Sequence, residues 1–178
     1  MPRLKFLILL FSHLCLYGLV LAIWGAGSGW PALIFAMLLV WVSMADWDSL
    51  EIPDSASALL VLSGVSFVLT TEKADLADHL FGGVFWPLAF WLISSVYLRA
   101  RKVHGLGLGD VKLMAGIGVW CGFLGTIWVV LGAALSALSA LTAFRLLRIR
   151  KGLRQQLVAF GPFLCFFAWY VWVTRTVV

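Results

Sequence analysis

Apolar residues run through this chain in long blocks, and polar residues gather in the short stretches between them. Blocks of about 20 residues predict helices that cross a lipid bilayer. The first covers residues 4–24, behind Arg3 and Lys5. A secretory leader also begins this way, and Gly25-Ala26-Gly27-Ser28 offers small residues for cleavage. The block is longer than the roughly 7–15 apolar residues of such a leader, which favours a retained span. After a turn over Gly25 to Pro31, residues 32–46 form the second span and end in Asp46-Trp47-Asp48-Ser49-Leu50-Glu51-Ile52-Pro53-Asp54. Pro53 suits the first turn of a third helix that ends near Leu69. Thr70 to Asp78 reads as a polar loop, and residues 79–98 as a fourth span kinked at Pro87. A basic run (Arg99, Arg101, Lys102) and the glycine stretch Gly105-Leu106-Gly107-Leu108-Gly109-Asp110 follow.

Residues 111–144 are apolar but for Lys112 and a few Ser and Thr. As one helix they would extend about 51 Å at 1.5 Å per residue, well beyond a hydrocarbon core of about 30 Å. Gly122 and Gly125 predict a break: a short helix over 111–121, a tight turn, and a span over 125–146. That span carries Gly132, Ser136 and Ala140 at helical spacing, a stripe that permits close packing as well as it fits a lipid-facing surface. A basic loop (Arg145, Arg148, Arg150, Lys151, Arg154) precedes a last span over 157–174, bent at Gly161-Pro162. The expected fold is an all-α polytopic membrane helix bundle, with six full spans plus the short helix 111–121.

Composition agrees: 63% of the 178 residues are hydrophobic and 12% charged, with mean hydropathy +1.04, against about 25% charged in a soluble domain. The length suits one domain. The net charge of +5 comes from few residues clustered in loops, so it signals topology and not a nucleic-acid surface. With the N-terminus in the cytoplasm and the spans alternating, eleven of the thirteen Lys and Arg fall on the cytoplasmic side. The acidic stretch 46–54 and the glycine stretch then share one membrane face. Ten Trp suit interfacial belts and packed helix faces. Cys15, Cys121 and Cys165 lie far apart in apolar blocks, without a CxxC pair, and read as small buried hydrophobes.

An aspartate at the mouth of a membrane span is costly and is by default a functional candidate. Asp46 and Asp110 both stand there. Two carboxylates at one face can activate water: the ionised one takes its proton, and the protonated one donates to the carbonyl under attack. Like charges at close range let such a pair hold one proton near neutral pH and titrate as a unit. His13, His79 and His104 are scattered, with no Ser or Cys at a triad spacing. Acids without clustered His favour hard cations at best, so no metal and no cofactor is expected. Asp48, Glu51 and Asp54 read as a solvated loop or as acids that steer a basic ligand, and Asp54 also suits a helix cap. Lys112 reads either as a snorkelling interfacial lysine or as a partner for an acidic group. The glycines permit a close backbone approach at Gly107 and Gly109.

Asp46 to Asp54 resembles the D-x(6)-P-D signature of the bacterial type IV prepilin peptidases. Gly107-Leu-Gly-Asp110, continuing as Val111-Lys112-Leu113-Met114-Ala115, resembles their GxGD element. The two motifs occur in the family's order, each at a helix end on the predicted cytoplasmic face. The resemblance implies a single transmembrane peptidase domain over 1–178 in the inner (plasma) membrane. It implies Asp46 and Asp110 as the catalytic dyad and a prepilin or pilin-like helix as substrate, whose backbone would approach at the positions read above, Gly107, Gly109 and Lys112. The basic leader of that substrate would be cut after a Gly. Bifunctional members carry a cytoplasmic domain with paired CxxC motifs that methylates the new N-terminus. The chain shows no such domain, so it is similar to the short forms that serve Flp/Tad-type pili. Archaeal preflagellin peptidases share GxGD and are the nearest alternative. A small proton- or cation-coupled transporter using the same two acids is a second alternative, disfavoured because both stand at span ends and no repeat is evident. A structural subunit of a secretion apparatus is a third, and would not need glycines beside an acid.

Overall fold

The structure, a computed structural model, describes residues 2–24, 29–71, 75–102, 107–146 and 159–177. These residues form six helices: α1 (Pro2–Trp24), α2 (Trp30–Ser49), α3 (Asp54–Thr70), α4 (Leu76–Arg101), α5 (Leu108–Leu146) and α6 (Gly161–Val177). Trp30–Ser49, Leu76–Arg101 and Leu108–Ala143 are long and apolar enough to cross a membrane. Residues 25–28 of the predicted turn, 72–74 of the predicted 70–78 loop, 103–106 with His104 and Gly105, and 147–158 of the basic loop lie outside the described residues.

Helix ends follow local chemistry. Pro31 stands in the first turn of α2, where a missing N–H does no harm. Leu50 ends α2 in the left-handed conformation (φ 56°), and its N–H donates to Asp46 O at 3.0 Å. Three boundaries move from the sequence reading. α4 begins before residue 79, because the Asp75 carboxylate accepts the N–H groups of Ala77 and Asp78 and caps the helix there; it then continues through Pro87 to Arg101. α5 begins at Leu108, which draws Asp110 into its first turn. α6 begins at Gly161, so Gly161-Pro162 opens this helix and does not bend it.

α5 breaks at Gly122, whose φ of 71° and ψ of 171° leave the helical region. A side chain there would also collide with the Asp78 carboxylate. In lipid the backbone groups freed by a break need partners from the protein. Asp78 Oδ1 accepts from the Leu124 N–H at 3.4 Å, and His79 Nδ1 pairs with Val119 O at 2.7 Å. Trp86 Nε1 donates to Phe123 O at 3.2 Å, and Arg175 to Cys121 O at 3.4 Å.

The contacts fix how the helices run. Along α3 and α5, Ile52 meets Gly109, Leu60 meets Gly116 and Gly64 meets Trp120, so α3 and the first leg of α5 run parallel from one end of the molecule. α4 runs antiparallel to that leg, with Gly82 against Gly118 and His79 against Val119. The second leg of α5 runs antiparallel to α6, with Gly125 beside Arg175 and Gly132 against Phe167. The packed stripe on this leg is Val129, Ala133 and Ala137, with Gly132, Ser136 and Ala140 half-buried along its edge.

Trp120 is the centre of the core. It stacks between Phe35 of α2 and Phe67 of α3, at centroid distances of 4.4 and 5.0 Å with both ring pairs 12° from parallel. Trp172 of α6 meets it edge-on at 5.8 Å. The Trp120 indole donates to Leu60 O at 2.9 Å, giving a fully buried polar group its partner. Four helices are thereby fixed around one ring.

Candidate active site

Asp46 stands in the last turn of α2, one turn before the Leu50 cap, and Asp110 in the first turn of α5. They come from distant parts of the chain, and the charge of Asp46 reaches Asp110. Both are buried, at 6% and 9% relative exposure, and no other described carboxylate is. A buried carboxylate is costly without partners, and each has one backbone donor. The Gly107 amide, just before α5, donates to Asp110, which reaches back over the first turn as an acid at the third helical position does. The Gly161 amide donates to Asp46 Oδ2 at 2.8 Å. Cys165, one turn further along α6 and fully buried, lies within reach of both charges.

The two motifs are also joined directly. A Cβ on Gly109 would lie 3.2 Å from the Ile52 side chain, so the backbone approach that this glycine permits is made by the acidic stretch itself. Lys112 Nζ meets Asp54 Oδ1 at 2.5 Å, between side chains 50% and 77% exposed. Asp54 makes no cap on α3; Pro53 precedes that helix and the Asp54 carboxylate turns to Lys112. Asp48 and Glu51 are exposed and, among the described residues, form no ion pair.

Two of the three histidines are engaged elsewhere: His13 with Ser43 Oγ at 2.7 Å, between α1 and α2, and His79 at the α5 break. Among the described residues no group of three His, Cys, Asp or Glu side chains converges. The site is thus two neighbouring buried carboxylates at one end of the bundle, each tethered by a glycine amide, beside an exposed acidic rim. Such a pair can take a proton from water and return one to a leaving group. Sequence reasoning did not reach Gly161 or Cys165. The available signal was Gly-Pro at the head of an apolar block, which marks a helix start.

The pattern of the type IV leader peptidase family matches residues 32–142, which include both motifs. Among curated proteins, the prepilin leader peptidase/N-methyltransferase of Pectobacterium carotovorum subsp. carotovorum is 34% identical over 135 residues, 76% of this chain and 48% of the relative. That of Neisseria gonorrhoeae is 30% identical over 163 residues, 90% and 54%. That of Pseudomonas aeruginosa is 30% identical over 165 residues, 86% and 55%. The chain spans about half the length of the curated relatives it matches. No solved structure matches it. With the family pattern spread over α2 to α5, more than half of the chain, the chain belongs to the type IV leader peptidase family.

Proposed function

We propose that this protein is a membrane aspartic endopeptidase that removes the basic leader of type IV prepilins, with Asp46 and Asp110 as its catalytic pair. One observation carries the reading: of all described carboxylates, the two that are buried are Asp46 and Asp110, and the charge of the first reaches the second. The ionised member of the pair takes a proton from water as its oxygen attacks the scissile carbonyl carbon, and the protonated member donates to the carbonyl oxygen. The tetrahedral intermediate then collapses: a hydroxyl proton returns to the second carboxylate as C=O re-forms, the C–N bond breaks, and the amine leaves with the proton taken from water. Gly107 leaves the backbone open beside the cut, and the exposed Asp48 and Glu51 attract Lys or Arg in the leader.

The apolar helix of the substrate enters among six spans of the plasma membrane, with the N-terminus, the acidic stretch and the glycine stretch on the cytoplasmic side. The basic residues flanking both legs of α5 support this orientation. The parallel course of α3 and the first leg of α5 supports a shared face for the two motifs. Flp-like prepilins are the proposed substrates, and the reaction requires no cofactor. Co-expression with short prepilins tests the reading: the wild type should produce a leader-sized mobility shift, and Asp46→Asn should not. An unshifted prepilin beside folded, membrane-inserted wild type would contradict it.

A further inference from the structure

Asp46 has a fixed partner with no assigned part in peptide hydrolysis. The first N–H groups of a helix lack intrahelical acceptors. In α6 the Gly161 amide goes to Asp46 Oδ2 at 2.8 Å, in a buried position, and Pro162 after it has no N–H to offer. No side chain fits at 161: a Cβ would lie 2.7 Å from Asp46 Oδ2, 3.0 Å from Cγ and 3.2 Å from Cβ. α6 is itself held in place, since Trp169 and Trp172 both pack against Phe35 of α2, at 6.2 and 5.6 Å. The donor and the helix that carries Asp46 are therefore parts of one rigid assembly.

We propose that Gly161 is a positioning residue: its amide clamps one oxygen of Asp46 and so aims the other at the attacking water. The inference rests on the peptidase reading above. It explains why a glycine opens α6, for a hydrogen bond to a charged acceptor is short and directional, and any larger residue would push the carboxylate aside. Misplacing a catalytic group by about 1 Å costs about a hundredfold in rate.

Two measurements test it. In prepilin cleavage, Gly161→Ala should lower kcat about a hundredfold with KM little changed, while Pro162→Ala, which keeps the donor, should cleave as the wild type does. Wild-type kcat in Gly161→Ala, or a loss carried by KM, would overturn the proposal. The second measurement is thermal unfolding of the purified full chain. Gly161→Ala should lower the melting temperature in the wild-type background and do so much less in Asp46→Ala, where the carboxylate it would strike is gone. If Gly161→Ala alone does not fold, Asp46→Ala should restore folding. Equal losses in both backgrounds, or no restoration, would overturn the clamp. A strong coupling in a wild type that cleaves no prepilin would leave the clamp standing and refute the peptidase reading alone.

Discussion

Asp46 and Asp48 stand two residues apart at the end of one helix, yet the first is buried against α6 and the second faces solvent. That difference separates a group able to carry chemistry from one able only to attract. Asp54 drops out of the attracting set, because Lys112 already neutralises it; an ion pair this exposed is worth about 0–1 kcal/mol and serves register more than stability. Steering therefore falls to Asp48 and Glu51. Replacing both, as Asp48→Asn with Glu51→Gln, should slow cleavage of a basic-leader substrate at low salt and remove most of its salt dependence. An unchanged salt response in that double variant would reduce these acids to a solvated rim. The acids themselves were legible in the sequence, from their place beside glycines and at span ends. Gly161 was not, because its part depends on the fold bringing α6 against α2, which no local pattern encodes.

At the scale of elements, glycines decide where helices touch. A Cβ on Gly118 would strike the Gly82 carbonyl, so α4 and α5 meet backbone to backbone, as small residues allow in lipid. Gly18 of α1 has nothing within 4 Å of such a Cβ. Gly118→Val should thus destabilise by about 1–3 kcal/mol or prevent folding. Gly18→Ala should be neutral or stabilise by up to about 1 kcal/mol. Unfolding in detergent reads both, and equal effects would contradict the packing described. The break in α5 was legible, since the apolar block is too long for one span and holds glycines. Its location at Gly122 agrees with the expected turn. What satisfies it was hidden, because Asp78, His79, Trp86 and Arg175 come from α4 and α6. The helix starts at Leu76 and Leu108 were misread by about a turn, since Asp75 and Gly107 act there through caps that apolar blocks do not display.

For the whole molecule, the fold-back of α5 puts the start of its first leg, the end of α2 and the start of α6 at one end, and the α5 break at the other. The all-helical class and a single shared end for the two motifs followed from block lengths and charge placement alone. The aromatic centre around Trp120 did not, because ten Trp in apolar blocks fit a lipid interface as well as a core. In a chain with Cys15 replaced by Ser, cysteines at Ser49 and Leu108 should both resist an impermeant thiol reagent applied from outside the cell, and one at Thr70 should react. Labelling of Ser49→Cys or Leu108→Cys from outside would reverse the proposed orientation, and a split result for those two would separate the motifs onto opposite faces.

The most direct measurement of the central claim is prepilin cleavage by three variants, each confirmed as folded and membrane-inserted. Asp46→Asn and Asp110→Asn should each abolish cleavage, because Asn keeps size and hydrogen bonding but cannot cycle a proton. The double variant should be no worse than either single one, since the pair acts as a unit. Asp48→Asn should retain most activity. Normal cleavage by Asp110→Asn, or by Asp46→Asn while Asp48→Asn is dead, would contradict the assignment of the pair.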